Sequence, residues 1–362
     1  MGANRSSETM SHDGDGHGAD MVAPLLAMPL IRCGAGVRDG GVNTIDQFGN
    51  THHPRGMKTA LSLKSALHCA GVVAAGALSL AAAAPAPAGP SFAHWIDGTA
   101  ADEPETQVQA IDADTFVIRQ SVKTNFEALF LYLLFGRDKA LLIDTGAGGL
   151  KIRPAVDRVI ADWQARHRGR AVHLVVAHSH GHGDHHAGDD EFRDRADTDV
   201  VGLQPEAVAA YFGLVDWPRQ VGRFDLGGRV VDIIPTPGHE SAHIMVYDAR
   251  TRLLFSGDML YPGRLYVPVN QFDAYRASAD RLAAFAATHR IRALLGAHIE
   301  MTTTPGQDYP MKAPAHPSEH GLALPPAAIG ALDVAVNAAK SPPVIDRHAD
   351  FIVYPVPPRP AG

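Results

Sequence analysis

The apolar residues of this chain fall into two alternating kinds of segment. Residues 115–120 and 126–135 are dense in β-branched and aromatic side chains, Gly136-Arg137-Asp138 interrupts them, and 139–143 resumes the run. That pattern predicts two or three strands in a meander. Residues 151–167 then place Ile152, Val156, Val159, Ile160 and Trp163 near helical spacing, and 171–177 is a short run of the buried-strand kind. Further on, 204–212 predicts a short helix, 229–234 a strand, and 242–247 with 252–255 a hairpin around Asp248-Ala249-Arg250. A helix over 272–289 and a strand over 293–295 follow. Strands arrive in two batches, each followed by helix–strand units, so the expected class is α/β: two mixed sheets face to face with helices outside. Beyond Pro305 the chain is Pro-rich, with a helical candidate at 326–339 and a terminal strand at 351–354. A domain over 107–305 is therefore expected to carry an extension, 306–362, packed against it.

The amino-terminal quarter has a different texture. From Met57 a methionine with two lysines close behind leads into an apolar stretch over 69–84 and then small residues and prolines. That is the layout of a secretory signal peptide, and its apolar stretch is shorter than the roughly 20 residues of a spanning helix. Residues 57–88 are accordingly expected to be a leader, cut near Ala86-Pro87-Ala88, and 1–56 an untranslated or disordered extension. A periplasmic or secreted protein without stable membrane insertion follows. Both cysteines, Cys33 and Cys69, would be lost, leaving no disulfide framework.

Of the 362 residues, 46% are hydrophobic and 20% charged, which excludes disorder for the bulk of the chain. A formal charge of −7 argues against nucleic acid as the partner, because phosphate neutralisation needs a basic surface. The unusual count is 20 histidines. Five of them, with an aspartate, lie in His178-Ser179-His180-Gly181-His182-Gly183-Asp184-His185-His186, directly after the strand predicted at 171–177. Neutral imidazole and carboxylate are ligands for zinc and similar divalent ions. Three further candidates sit where other strands end: His239 in Thr236-Pro237-Gly238-His239, Asp258 in Ser256-Gly257-Asp258, and His298 in Gly296-Ala297-His298. Each has a glycine within two residues, which frees the backbone to turn the side chain into a shared cleft.

In this order these motifs, with Ile143-Asp144-Thr145-Gly146 upstream, resemble the metallo-β-lactamase superfamily over about residues 115–304. The alignment has one register, because starting from His178 would require aspartate where His182 stands. The resemblance implies the αββα sandwich of that family. It also implies that His180, His182 and His239 bind one metal, that Asp184, His185 and His298 bind a second, and that Asp258 bridges them. Asp144 would organise the ligands, and His178, His186 and His243 would not ligate. In β-lactamases proper another residue, in one subclass a cysteine, usually takes the bridging position. Asp258 thus points toward the glyoxalase II and lactonase branches.

The function expected is an exported, binuclear, zinc-dependent hydrolase of a small-molecule ester, thioester, lactone or lactam. A metal-bridged hydroxide would attack the carbonyl, with Asp184 as the catalytic carboxylate. Two Zn2+ per chain are expected, with iron or manganese as alternatives. A β-lactamase proper and a non-haem iron redox enzyme of the same fold are the competing readings. Substrate selection is expected from residues 212–223 and 261–270, where Tyr261, Arg264 and Tyr266 either touch substrate or anchor a Pro/Gly loop.

Overall fold

The structure, a computed structural model, describes residues 89–358; the expected leader, the extension before it and both cysteines lie outside the described residues. Strands β1 (Thr106–Asp112), β2 (Thr115–Gln120), β3 (Phe130–Phe135) and β4 (Lys139–Ile143) form an antiparallel meander. Helix α1 (Arg153–Arg166) crosses over to β5 (His173–Ala177), which pairs parallel to β4. After a one-turn helix α2 (Gly183–His186), β6 (Thr198–Val200) completes a six-stranded sheet in order β1-β2-β3-β4-β5-β6.

Helix α3 (Pro205–Phe212) leads to the second sheet, made from β7 (Gly222–Asp225), β8 (Val230–Pro235), β9 (Ile244–Asp248) and β10 (Leu253–Gly257). A strand β11 (Arg264–Pro268) and helix α4 (Phe272–Thr288) intervene before β12 (Ala293–Gly296) joins β10 in parallel. The segment after Pro305 supplies β13 (Ala323–Leu324), which extends this sheet to β13-β12-β10-β9-β8-β7. It also supplies α5 (Ala327–Ala338), β14 (Asp346–Arg347) and β15 (Ile352–Val356), the last pairing with β11 in a small third sheet.

Strand β3 shows why the layers stack as they do. All six of its residues are buried, so it reads as a continuous apolar run rather than an alternation. Phe130, Tyr132 and Leu134 enter a core shared with Ile233, Val246, Phe255 and Leu295 of the other sheet. Leu131, Leu133 and Phe135 enter a second core with Val156, Val159 and Trp163 of α1. On the far side, Met245, Leu254 and Leu294 pack against Tyr275 and Leu282 of α4 and Leu332 of α5. Each such side chain contributes roughly 1.5–3 kcal/mol relative to water, and the αββα arrangement is the layering that buries both faces of both sheets. Among the described residues no helix is long and apolar enough to cross a membrane.

Strand direction positions the functional residues. β4 and β5 run together, and β8, β10 and β12 run together in the other sheet. The chain leaves all five at one edge of the sandwich. There the sheets are joined by two backbone bonds, Ile244 N–H to the Ser179 carbonyl and Phe130 N–H to the Ala297 carbonyl, each 2.8 Å.

Two readings of the sequence change. Arg264 to Pro268, expected in a Pro/Gly loop, is strand β11, because β15 arrives from nearly 90 residues later to pair with it. Residues 212–223 do not line the metal-bearing cleft. Phe212 and Leu214 are buried in the inter-sheet core with Trp217 packed on it, so this loop seals an end of the sandwich.

Candidate metal centre

The turns after β5, β8, β10 and β12 bring all seven sequence-derived candidates together. His180 Nε2, His182 Nδ1 and His239 Nε2 form a triangle with sides of 2.8, 2.9 and 3.1 Å. Imidazole nitrogens held 2.0–2.1 Å from a tetrahedral zinc lie roughly 3.3 Å apart, so the triangle is close to that cage. Beside it, His185 Nε2 and His298 Nε2 are 3.4 Å apart, and Asp184 Oδ2 is 3.3 and 3.5 Å from them. Asp258 stands between the sets. Its Oδ2 is 3.5 Å from His239 Nε2 and 3.6 Å from His185 Nε2, while Oδ1 is 3.4 Å from His298 Nε2. Oδ1 is buried without a hydrogen-bond partner, and an orphaned buried carboxylate oxygen of this kind suits a metal ligand. The donors therefore form groups able to hold a divalent ion, His180 with His182 and His239, Asp184 with His185 and His298, and Asp258 with His180 and His185.

The outer contacts fix which ring nitrogen faces inward. His239 Nδ1 donates to the Tyr266 carbonyl at 2.6 Å and His298 Nδ1 to the Glu127 carbonyl at 2.8 Å. His185 Nδ1 donates to Asp144 Oδ2 at 3.0 Å, and His180 Nδ1 to Ser179 Oγ at 3.2 Å. Each bond leaves an Nε2 lone pair directed at the centre, the usual device for orienting ligating histidines. Asp144 also accepts Ser179 N–H at 2.7 Å, so it braces the loop and His185 at once. His243, which does not face the cluster with a free lone pair, accepts the Asp258 N–H at 3.1 Å and donates to Thr236 Oγ1. His178 pairs with Asp189 at 2.8 Å, away from the donors.

Two glycines are required by this crowding. A Cβ on Gly238 would meet the Tyr275 backbone at 2.3 Å, and one on Gly257, at φ +50°, would meet Ser179 at 2.7 Å. A β-bulge between Phe255 and Gly257 in the β10–β12 pairing precedes Asp258 and re-aims it.

Electrostatics distinguishes the two sets. Burial, reinforced by neighbouring imidazoles, holds His180 well below the ordinary histidine range, and burial lowers His239 too. Burial also opposes a charge on His298 and His185, but carboxylates outweigh it. Asp258 and Asp184 lift His298 to about 10, and Asp184, Asp144 and Asp258 hold His185 well above the ordinary range. Near pH 7 His180 and His239 are thus neutral and ready to ligate, whereas His185 and His298 carry protons that an incoming cation must displace. The expected result is sequential loading. The first equivalent of metal enters with little proton release, the second releases protons, and lowering the pH weakens the second before the first. Calorimetry in buffers of different ionisation enthalpy measures this; equal proton release for both equivalents would contradict it.

Asp144→Asn tests the bracing. Asp144 has φ +69°, which asparagine tolerates, so the backbone is retained while the charged acceptor is lost. Metal affinity is expected to fall about 10–100-fold, read by competition with a chromogenic chelator.

The centre opens into a cleft of about 250 Å³. Tyr261 is buried and donates to the Arg264 carbonyl, with Glu300 Oε2 3.1 Å from the same hydroxyl. Arg264 spends its guanidinium on Glu300, Asp308, Tyr266 Oη and the Tyr309 carbonyl. Both are anchors: four of the five N–H donors of the Arg264 guanidinium are taken up by these contacts. Sequence reasoning missed Glu127, Tyr309, Met311, Lys312 and His316, which line the cleft. Burial, with Asp184, Glu300 and Asp258 nearby, raises the Glu127 carboxyl. These residues carry no motif: Glu127 meets His298 from 171 positions away, and the other four lie in the segment after Pro305.

The chain is 34% identical over 116 residues to a hydroxyacylglutathione hydrolase of Rhizobium meliloti (strain 1021), covering 30% of this chain and 43% of that protein. It is 25% identical over 186 residues to the acyl-coenzyme A thioesterase MBLAC2 of Bos taurus, covering 42% of this chain and 66% of that one. The chain thus spans less than two thirds of either relative. A metallo-beta-lactamase from Pontibacter korlensis superposes with a TM-score of 0.43 at 16% identity, over 64% of this chain and 99% of the other. The profile of the metallo-beta-lactamase superfamily matches residues 130–288, from β3 through the end of α4 and across six of the seven clustered donors. On that match and the relatives together, residues 130–288 of the chain belong to the metallo-beta-lactamase superfamily.

Proposed function

We propose that this protein is a binuclear zinc hydrolase of thioesters. The observation that carries the reading is Asp258, a buried carboxylate whose Oδ2 lies within 3.6 Å of His239 and His185, one from each set, and whose Oδ1 faces His298 without a hydrogen bond. His180, His182 and His239 would hold one ion, Asp184, His185 and His298 the other, with Asp258 between them. When bound, such ions supply Lewis acidity and lower the pKa of water to about 7. Burial works against an ionised Asp184, yet His185 and His298 keep it well below the usual carboxylate range. It therefore stays charged and would accept a hydrogen bond that orients the attacking water toward the open side of the cleft. His243 and Asp144 keep Asp258 and His185 in place. The names of the two relatives support a thioester, since one is a hydroxyacylglutathione hydrolase and the other an acyl-coenzyme A thioesterase.

The same reading includes the expectations for the rest of the chain: a leader removed near residue 88, export, and an extension after 305 that completes the cleft. The test is a substrate screen on the zinc-reconstituted chain, with lactoylglutathione, acyl-coenzyme A esters, a lactone and nitrocefin side by side. Turnover of a thioester well above the others is expected. Preferential cleavage of nitrocefin or the lactone would overturn the assignment.

A further inference from the structure

Arginines collect at the edge of the sandwich opposite the metal centre. A cavity of about 500 Å³ is lined by Arg137, Arg166, Arg168, Arg170, Arg229 and Arg250, with His167 and a single acid, Asp114. Its walls are the β3–β4 turn, the link from α1 to β5, and the turns before β8 and β10, so it lies at the starts of the strands whose ends carry the metal ligands. We propose that this cavity binds a nucleotide, with the arginines taking the phosphates and His167 the base.

Charge is the first argument. Arg229 is buried against Asp248 at 2.7 Å, Arg250 is paired with Asp114, and Arg137 lies 3.5 Å from Asp138. Arg166, Arg168 and Arg170 have no carboxylate within ion-pair distance among the described residues, and all three are exposed. Six guanidinium groups thus face three carboxylates, on a chain whose formal charge is −7. Arg166 and its neighbours follow the carboxyl end of α1, where cations offset the helix dipole, but that dipole is equivalent to only about half a charge. Three arginines without a carboxylate exceed it, although the Arg166 guanidinium also lies 5.6 Å over the Phe116 ring. Guanidinium forks match phosphate oxygens two at a time, and a volume of this size falls within the ordinary range for small-ligand sites.

The second argument is the aromatic wall. Phe135 stacks on Trp163 with centroids 4.6 Å apart and planes 8° from parallel, and Trp163 stacks on His167 at 4.0 Å and 18°. Trp163 Nε1 donates to Asp114 Oδ1 at 2.8 Å, which locks the column. His167 is its partly exposed last member and lines the cavity. A planar base continues such a column with little dependence on its identity.

The test uses ADP and inorganic pyrophosphate as probes of the zinc-loaded full chain at physiological salt. Saturable binding of both is expected, with ADP the tighter. Arg168→Gly combined with Arg170→Ala should weaken both at least tenfold while leaving metal content and hydrolytic turnover unchanged. Arg168 has φ +60°, so glycine preserves the backbone there. Arg170→Glu alone should have the same direction. His167→Ala should weaken ADP about tenfold and leave pyrophosphate as it was. His182→Ala should leave both probes bound. Absence of saturable binding, binding that survives the arginine substitutions, or binding lost with His182→Ala overturns the site. Pyrophosphate binding as tightly as ADP and indifferent to His167→Ala overturns the nucleotide.

Discussion

Replacement of His182 by alanine is expected to lower turnover by on the order of 10³-fold or more, and to remove about one equivalent of bound metal, with the fold intact. Three features make this the sharpest test of the centre. His182 Nδ1 supplies two of the three sides of the imidazole triangle, 2.8 Å to His180 and 2.9 Å to His239. Its partners are neutral near pH 7 because burial depresses them, so without a third donor they form a weak two-nitrogen site. His182 is also the least buried of the three, at the start of α2 where the loop meets the cleft. Removing it opens space to water instead of leaving a sealed hole, so the large stability costs of core truncation do not confuse the result. Metal analysis, turnover and thermal melting are measured on the same preparation. A variant that had lost its metal yet retained full turnover would end the metal-centred reading.

The clustered donors were legible because each announces itself locally. A strand ends, a glycine releases the backbone, and a histidine or aspartate follows, as at Gly238-His239 and Gly257-Asp258. Codirectional strands then deliver them to one edge without any long-range information beyond the layer architecture. The strands themselves were legible where both faces are buried, as in β3. What could not be read depends on partners distant in sequence. β11 has prolines and a glycine around it and acquires strand geometry from β15. The two-residue β13 exists because β12 offers an edge. Glu127 enters the site through a backbone carbonyl, which has no residue identity for a motif to register. The arginine cavity assembles from turns that are far apart in the chain and individually ordinary.

The segment after Pro305 is held by a contact of this hidden kind, and breaking it should be costly. Arg119 of β2 and Glu319, 200 residues apart, form a two-pronged ion pair with side chains 0% and 7% exposed. Arg119 also lies 4.8 Å above the Phe130 ring, and its Nε is buried without a partner. Glu319→Gln keeps shape and an acceptor but removes the carboxylate charge that, among the described residues, is bonded to that guanidinium. Leaving one member of a buried pair uncompensated costs about 3–5 kcal/mol. An exposed pair such as Asp216–Arg219 serves as contrast, because Asp216→Asn should change stability by less than about 1 kcal/mol. The effect should reach the cleft. Glu319 Oε1 is 3.2 Å from His316 Nδ1, His316 stacks on Tyr309 at 4.5 Å, and both rings line the cleft with Lys312. Glu319→Gln is therefore expected to raise KM while the metal content stays at the parent value, since none of the seven donors belongs to this segment. Urea unfolding within about 1 kcal/mol of the parent, with KM unchanged, would show that Arg119 finds another anion or water and that the cleft wall stands without this tether.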